Sequence, residues 1–375
     1  MEQFTQASAR QHASTPARQH ASTTSTSRAP DPRRTVTTPT RPIWLRYLSG
    51  PDIDSLDIPS AAIVDAIDSV VAAHGRGETV FEPRMHLVPD NGGVGHFNVL
   101  RGHVSTLGER GVSGVKVVGD FVPNYLEGLP SEMAMATLFD PYNGTPLAVM
   151  DATFVTEART GAMTAVGARY LARPDSKVLA HAGARGTAFS NVTMLDGLFD
   201  LDEIRVTSRR VESREAFGEQ LRAVTDTPVV VVETADEAFD GADIIVEATR
   251  LTEPAPLLRR EHIRPGAFVV PYGTVSAVEP ELLDVIDKVV VDDWAESRSG
   301  RFGALRHHVD TGLLSPETLW AQLGEIASGA KAGRESADER ILFWHRGLSI
   351  LDVALAHLVL RTAEEAEVGT MLRYR

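Results

Sequence analysis

From about residue 160 onward, apolar positions fall into short runs separated by longer amphipathic stretches. KVLAHAG, EIRVTSR, PVVVV, DIIVEA, AFVVPY and KVVVDD read as strands. TAFSNVTMLDGLF, ESREAFGEQL and ADEAFDG carry the spacing of helices. Short β-branched runs alternating with helices predict a parallel sheet covered on both faces, a Rossmann-type, doubly wound α/β domain over 161–325.

Upstream the rhythm differs. AAIVDAIDSVVAAHGRGE places Ile63, Ala66, Ile67, Val70 and Val71 on one helical stripe, with Gly75 and Gly77 as stop signals. MHLV, GHFNVL, GVKVVGDF, ATLFD and PLAVMDA follow as strands punctuated by Gly, Pro and Asn. Residues 43–160 therefore predict the first part of a smaller α+β domain, with a helix over roughly Thr156 to Leu171 at its end. ETLWAQLGEIASG and ILFWHRGLSILDVALAHLVLRTAEEA read as helices. The second is apolar over much of its circumference, so the segment 326–375 is expected to pack back on the first domain and complete it. Residues 1–42 are rich in Ser, Thr, Ala, Arg and Pro and contain ARQHAST twice; they predict a disordered tail.

Composition narrows the function classes. A chain of 375 residues, 43% hydrophobic, has enough apolar side chains for two domains. It contains no cysteine, which removes disulfides and thiolate chemistry and fits a reducing, cytoplasmic setting. A formal net charge of -14 argues against a generic nucleic-acid binder, and no apolar run approaches the ~18 residues of a membrane span. His307-His308 with Asp310 invites a metal reading, but adjacent ligands lack the one-face spacing of helical zinc motifs, so no metal is expected.

The candidate chemistry begins at HAGARGTA, where a βαβ unit places its glycine-rich turn. Gly183 supplies the turn and Ala188 the small residue for helix-strand contact, with Ala184, Gly186 and Thr187 between them. Arg185 stands where a second glycine normally lets the backbone approach a phosphate. Either Arg185 swings outward to meet a phosphate while Gly186 provides the freedom, or the loop has lost dinucleotide affinity and Arg185 binds another anion or nothing. The next strand ends in Ser208-Arg209-Arg210, where arginine suits the 2′-phosphate of NADP(H) and an acid would suit NAD(H). Thr249, Tyr272 and Gly273, at later strand ends, complete the expected cofactor set.

The stretch MDATFVTEARTGAMTAVGARYLARPDSKVLAHAGARGTA resembles the ornithine cyclodeaminase and mu-crystallin family, as do GVKVVGDFVPNYLEGLP upstream and GADIIVEATR, PGAFVVPYG and KVVVDD downstream. The resemblance covers about residues 80 to 365. It implies a homodimer, with the first domain serving substrate binding and dimerisation, a nicotinamide cofactor on the second domain, and hydride transfer at an amino-acid α-carbon through an imine. It also implies that Arg84 and Arg159 hold the substrate carboxylate, that Lys116 stands beside the imine or amine, and that Asn124 and His345, the latter with Arg346, lie at the substrate side. Arg159 can alternatively pair with Asp151 or Glu157, and Lys116 can be a solvated edge residue. His181 is left open between a nicotinamide contact and a core histidine.

One departure changes the chemistry expected. The family carries an acid two residues after the glycine at a strand end, and here that position is Val275. Glu247, Glu279, Asp292 and Asp293 are the acids nearby in sequence that could replace it. The leading expectation is an NAD(P)(H)-dependent oxidoreductase of an amino acid or its imine. A cyclodeaminase with internally recycled NAD and a non-catalytic anion- or nucleotide-binding protein are the alternatives.

Overall fold

β-branched residues and glycines in the N-terminal third generate long antiparallel pairings. In the computed structural model, which describes residues 41–90, 92–251, 253–273, 275–299 and 303–375, Pro42–Arg375 forms one unit. The tail expectation falls on residues that, up to 40, lie outside those described. β1 (Trp44–Leu48), β2 (Thr79–Phe81), β3 (Met85–Leu87), β4 (His96–Val104), β5 (Val112–Asp120), β6 (Glu132–Phe139) and β7 (Pro146–Asp151) join Thr370–Arg373 in an eight-stranded sheet. Its pairs are antiparallel except β1 with β7. Along β5 the period of two turns Val112, Gly114, Lys116 and Val118 inward and Val115 and Val117 outward. The helices α1 (Gly50–Asp54), α2 (Ser60–Gly75) and α3 (Thr153–Leu171) follow the chain, and nearly all of α3 beyond its first turn is buried.

The second half folds as its pattern predicts. The elements run β8 (Val178–Ala182), α4 (Ala188–Asp196), β9 (Glu203–Thr207), α5 (Val211–Arg222), β10 (Val229–Val231), α6 (Ala235–Phe239), β11 (Ile244–Glu247), β12 (Phe268–Pro271) and β13 (Lys288–Val291). Then come α7 (Trp294–Ser297), α8 (Arg306–Asp310), β14 (Ala321–Gln322), α9 (Leu323–Ala327) and β15 (Ile341–Trp344). The strands form an all-parallel sheet in the order β10-β9-β8-β11-β12-β15-β13-β14. The order reverses between β8 and β11, so a crevice opens beyond their carboxyl ends, the place where doubly wound sheets hold nucleotides.

Two stretches read as helical are partly strand. Ile341–Trp344 is β15, inserted between β12 and β13, and helix resumes only as α10 (Ser349–Glu365); the last strand, β16 (Thr370–Arg373), closes the first sheet. A short fully apolar run such as ILFW fits a buried strand as well as a buried helix, and periodicity cannot separate them. The segment 326–375 therefore divides between the sheets rather than packing wholly on the first. In ETLWAQLGEIASG, Ala321–Gln322 pairs with β13 and only Leu323–Ala327 is helical.

α10 lies close on β5 because Gly114 has no side chain: a Cβ there would meet Val353 Cγ2 and Leu138 Cδ2 at 2.9 Å. Among the described residues no helix is long and apolar enough to cross a membrane. The aromatic stack Phe268–Phe343, with centroids 6.5 Å apart, anchors β12 to β15. Phe268→Ala is expected to lower the unfolding free energy by about 3–5 kcal/mol, read from urea denaturation.

Candidate functional site

Lys116 is an anomaly of alternation. It sits mid-strand on the inward face of β5, 2% exposed, where Gly114 and Val118 are its neighbours on that face, so it is no edge residue. Its Nζ donates to Asp352 Oδ1 at 2.6 Å and to Thr156 Oγ1 at 2.9 Å, and the Thr156 hydroxyl donates on to Ala152 O. An ammonium has three donors, so one remains for a ligand. Burial pulls the Lys116 pKa down to about 8, with Asp352 acting in the opposite direction and Arg159 adding to the fall. Proton exchange near neutral pH becomes accessible to it.

Arg159 comes from the buried face of α3 and reaches the same carboxylate, with Nε 3.1 Å from Asp352 Oδ1. It pairs with neither Asp151 nor Glu157. Its two terminal nitrogens have no hydrogen-bond partner among the described residues, so the fork that grips a carboxylate is open. Gly347, at φ +82°, makes room for it: a Cβ there would sit 1.6 Å from Arg159 Nη1. Arg84 reaches the same loop, donating from Nη2 to the carbonyls of Arg346 and Gly347 at 2.5 and 2.8 Å and from Nε to Glu296 at 2.6 Å. Asp292 secures the loop from below by accepting the backbone N–H groups of Arg346 and Gly347.

Across the loop lies the crevice of the second sheet. His345, 2% exposed, accepts or donates through Nε2 with Thr164 Oγ1 at 3.0 Å and stacks between Phe343 and Tyr272. Burial drives its pKa down to about 3, so it is a neutral packing group that orients Tyr272. The Tyr272 hydroxyl accepts from Asn191 Nδ2 and shares a hydrogen bond of 2.7 Å with Thr187, at the start of α4. The turn before α4 fits a dinucleotide phosphate. Gly183 takes φ +116° and a Cβ there would meet Ala248 O at 2.8 Å; Gly186 takes φ +57° and faces open space. The Arg185 side chain is directed out of the turn to Ser213 Oγ at 3.2 Å, leaving the backbone approachable. Ala184 packs partly buried against the core and Ala188 is fully buried, as close helix-strand contact requires. Ser208 Oγ donates to the Arg210 carbonyl, and Arg210 stands at the N-cap position of α5 with its side chain making no capping bond.

Of the four acids that could replace the one absent at Val275, three are engaged elsewhere. Asp292 is occupied by backbone donors, Asp293 caps α7 and pairs with His74, and Glu279 accepts the Arg260 N–H. Glu247, at the carboxyl end of β11, accepts from Thr249 N and Oγ1 through Oε1, while its buried Oε2 has no hydrogen-bond partner among the described residues. Burial raises its pKa to about 7, and Gly273 leaves the space its carboxyl fills. Val275 is itself half-buried.

Other expected residues serve the frame. Asn124 donates to Pro130 O and closes the loop between β5 and β6. His181 is fully buried with its ring 6.0 Å from Phe217, and burial lowers its pKa to about 4. Asp352 was missed, although a lone acid in the apolar stretch SILDVALAHLVL was a visible signal. Arg250 was missed as well: it donates to Asp120 at 2.8 Å and to Glu132, tying the second sheet to the ends of β5 and β6.

Known proteins resemble this chain in sequence and fold. The alanine dehydrogenase of Archaeoglobus fulgidus is 29% identical over 332 residues, covering 87% of this chain and 98% of that protein. The structure of an archaeal alanine dehydrogenase dimer with bound NAD superposes with a TM-score of 0.80 at 28% identity, over 89% of this chain and all of that one. Thermococcus litoralis Δ1-pyrroline-2-carboxylate reductase, in complex with NADH and L-proline, gives a TM-score of 0.80 at 27% identity, over 87% and 99% of the two chains. The family model for the ornithine cyclodeaminase/mu-crystallin family matches residues 52–367, and with the two-sheet architecture and the arginine-lysine cluster in place, the chain belongs to that family.

Proposed function

We propose that this protein is an NAD(P)(H)-dependent oxidoreductase interconverting an α-amino acid and its imine. The observation that carries the reading is the Lys116–Asp352–Arg159 cluster. With Lys116 protonated it holds two cations against one anion in a buried place, an imbalance that an anionic ligand would relieve. An α-carboxylate fits the open fork of Arg159, assisted by Arg84. The relatives' substrates are consistent with such a ligand: alanine for one, and proline bound in another.

Gly183, Gly186, Thr187 and Thr249 would hold the nicotinamide cofactor, which when bound supplies or accepts the hydride at the substrate α-carbon. Arg159 and Arg84 orient the carboxylate, which fixes the α-carbon in one plane. In the reductive direction Lys116 gives a proton to the nitrogen of the imine and regains one from solvent; in the oxidative direction it takes that proton back. Thr156 and Asp352 keep its Nζ aimed inward meanwhile. Val275 cannot assist departure of ammonia, which favours reduction or dehydrogenation over cyclodeamination. The absence of cysteine supports a reducing cytoplasmic setting for this chemistry.

A second copy of the chain is part of the proposal. Val115, Val117, Met133 and Met135 make an exposed apolar face on β5 and β6, opposite the side covered by helices, and the alanine dehydrogenase neighbour is a dimer.

Mixing the full chain with NADPH or NADH and a five-membered cyclic imine acid is expected to consume reduced cofactor in proportion to imine; no consumption with any imine or keto acid plus ammonia would remove the reading. Lys116→Met is expected to lower kcat/KM for that reduction by about 100-fold or more. Because the reaction needs the ammonium, kcat/KM falls as pH rises through about 8. Asp352→Asn removes a group that raises the Lys116 pKa, so its falling limb moves to lower pH. Light scattering should report a dimer, and Val117→Glu with Met135→Glu should report a monomer.

A further inference from the structure

Three arginines lie beyond the carboxyl ends of β8 and β9, and among the described residues no carboxylate is paired to any of them. Arg185 Nη2 donates to Ser213 Oγ at 3.2 Å, and its guanidinium carbon lies 5.0 Å from the centre of the Tyr125 ring. Arg210 donates to the Tyr125 hydroxyl at 3.2 Å, with its own guanidinium 5.3 Å from that ring. Arg209 adds its charge to the same phenol, which the Arg210 hydrogen bond and then the Arg210, Arg185 and Arg209 charges hold below the ordinary tyrosine range. Tyr125 belongs to the turn Val122–Glu127 between β5 and β6, so it reaches the nucleotide side from the other sheet. Among the described residues no Asp or Glu forms an ion pair with Arg185, Arg209 or Arg210, and Glu212 acts on Arg210 only at longer range.

Unpaired cations at this density repel one another, and a chain of net charge -14 has no shortage of acids with which to neutralise them. The place is specific. The end of the second strand of a doubly wound sheet faces the adenosine ribose, where an acid takes the 2′-hydroxyl and an arginine takes a 2′-phosphate. Arg185 starts in the turn, at the position closest to the diphosphate, yet its side chain is carried to α5 and to Arg210's partner. It leaves the first phosphate site and joins the second.

We propose that Arg185, Arg209 and Arg210 form a site for the 2′-phosphate of NADP(H), with Tyr125 as the cross-sheet group that occupies Arg210 until the phosphate arrives. The inference rests on the nicotinamide-cofactor reading and adds a selection for the phosphorylated form. It also gives the arginine in HAGARGTA a positive role, because the residue that replaces the second glycine becomes a phosphate ligand. The phosphate takes the donor that the phenol now holds.

Calorimetry on the full chain with NADPH, NADH, 2′,5′-ADP, 3′,5′-ADP, 5′-AMP and inorganic phosphate tests this without reference to turnover. NADPH is expected to bind at least about tenfold tighter than NADH, and 2′,5′-ADP tighter than 5′-AMP, 3′,5′-ADP or phosphate. Arg185→Ala should weaken NADPH by about tenfold and leave NADH within about twofold. Tyr125→Phe should bind NADPH at least as tightly as the unaltered protein. Equal affinity for NADPH and NADH, an equal loss of both in Arg185→Ala, or weaker NADPH binding in Tyr125→Phe overturns the inference while leaving the cofactor reading in place. Binding of neither nucleotide overturns both.

Discussion

Asp352 shares one carboxylate oxygen between a lysine and an arginine that would otherwise be buried cations. Removing an ion from water costs several kcal/mol even after relaxation, so neither Lys116 nor Arg159 is tolerable at its depth without that partner. The three residues come from β5, α3 and α10, which are far apart in the chain. Their meeting therefore fixes how the C-terminal helix docks on the first sheet. Gly114 makes that docking close enough for a 2.6 Å contact, and Gly347, just ahead of α10, makes room for the Arg159 guanidinium. Among the described residues the second oxygen of Asp352 has no hydrogen-bond partner, and with Lys116 protonated the cluster keeps one positive charge in excess.

That excess links the fold to the chemistry. An α-carboxylate, as proposed, would complete the charge balance, and Lys116 has a pKa brought within reach of neutral pH by the same burial that makes it costly. The loop carrying His345, Arg346 and Gly347 stands between this cluster and the nucleotide crevice. One end holds Arg84 through carbonyls, and the other orients Tyr272, which in turn grips the first turn of α4 through Thr187 and Asn191. The proposed substrate and cofactor sites would thus be neighbours along one chain of contacts. At the carboxyl end of β11, Glu247 is a buried acid beside Gly273, and burial raises its pKa to about 7.

The parallel sheet was legible because its strands are runs of β-branched residues bounded by turn signals, and a buried parallel strand needs little else. β15 was not, since ILFW carries no periodicity of its own and its strand character comes from the gap between β12 and β13. Lys116 could have been placed from alternation alone: in GVKVVGDF it shares a face with Gly114 and Val118, an inward position where a lysine needs a reason. Asp352 was equally visible as a lone acid among apolar residues. His345 looked like a site residue by position but is consumed in an aromatic stack. Tyr125 and Arg250 could not be found from sequence, because their significance lies in partners more than 80 residues away.

The charge balance of the cluster makes a direct claim about stability. At pH 6, with Lys116 protonated, Lys116→Met leaves the Asp352–Arg159 pair neutral, whereas Asp352→Asn leaves two buried cations facing each other. Urea denaturation of both variants and of the double variant is the measurement. Asp352→Asn should lose about 3–5 kcal/mol, Lys116→Met less, and the double variant should be more stable than Asp352→Asn alone. A double variant that loses the sum of the two single costs would contradict the account.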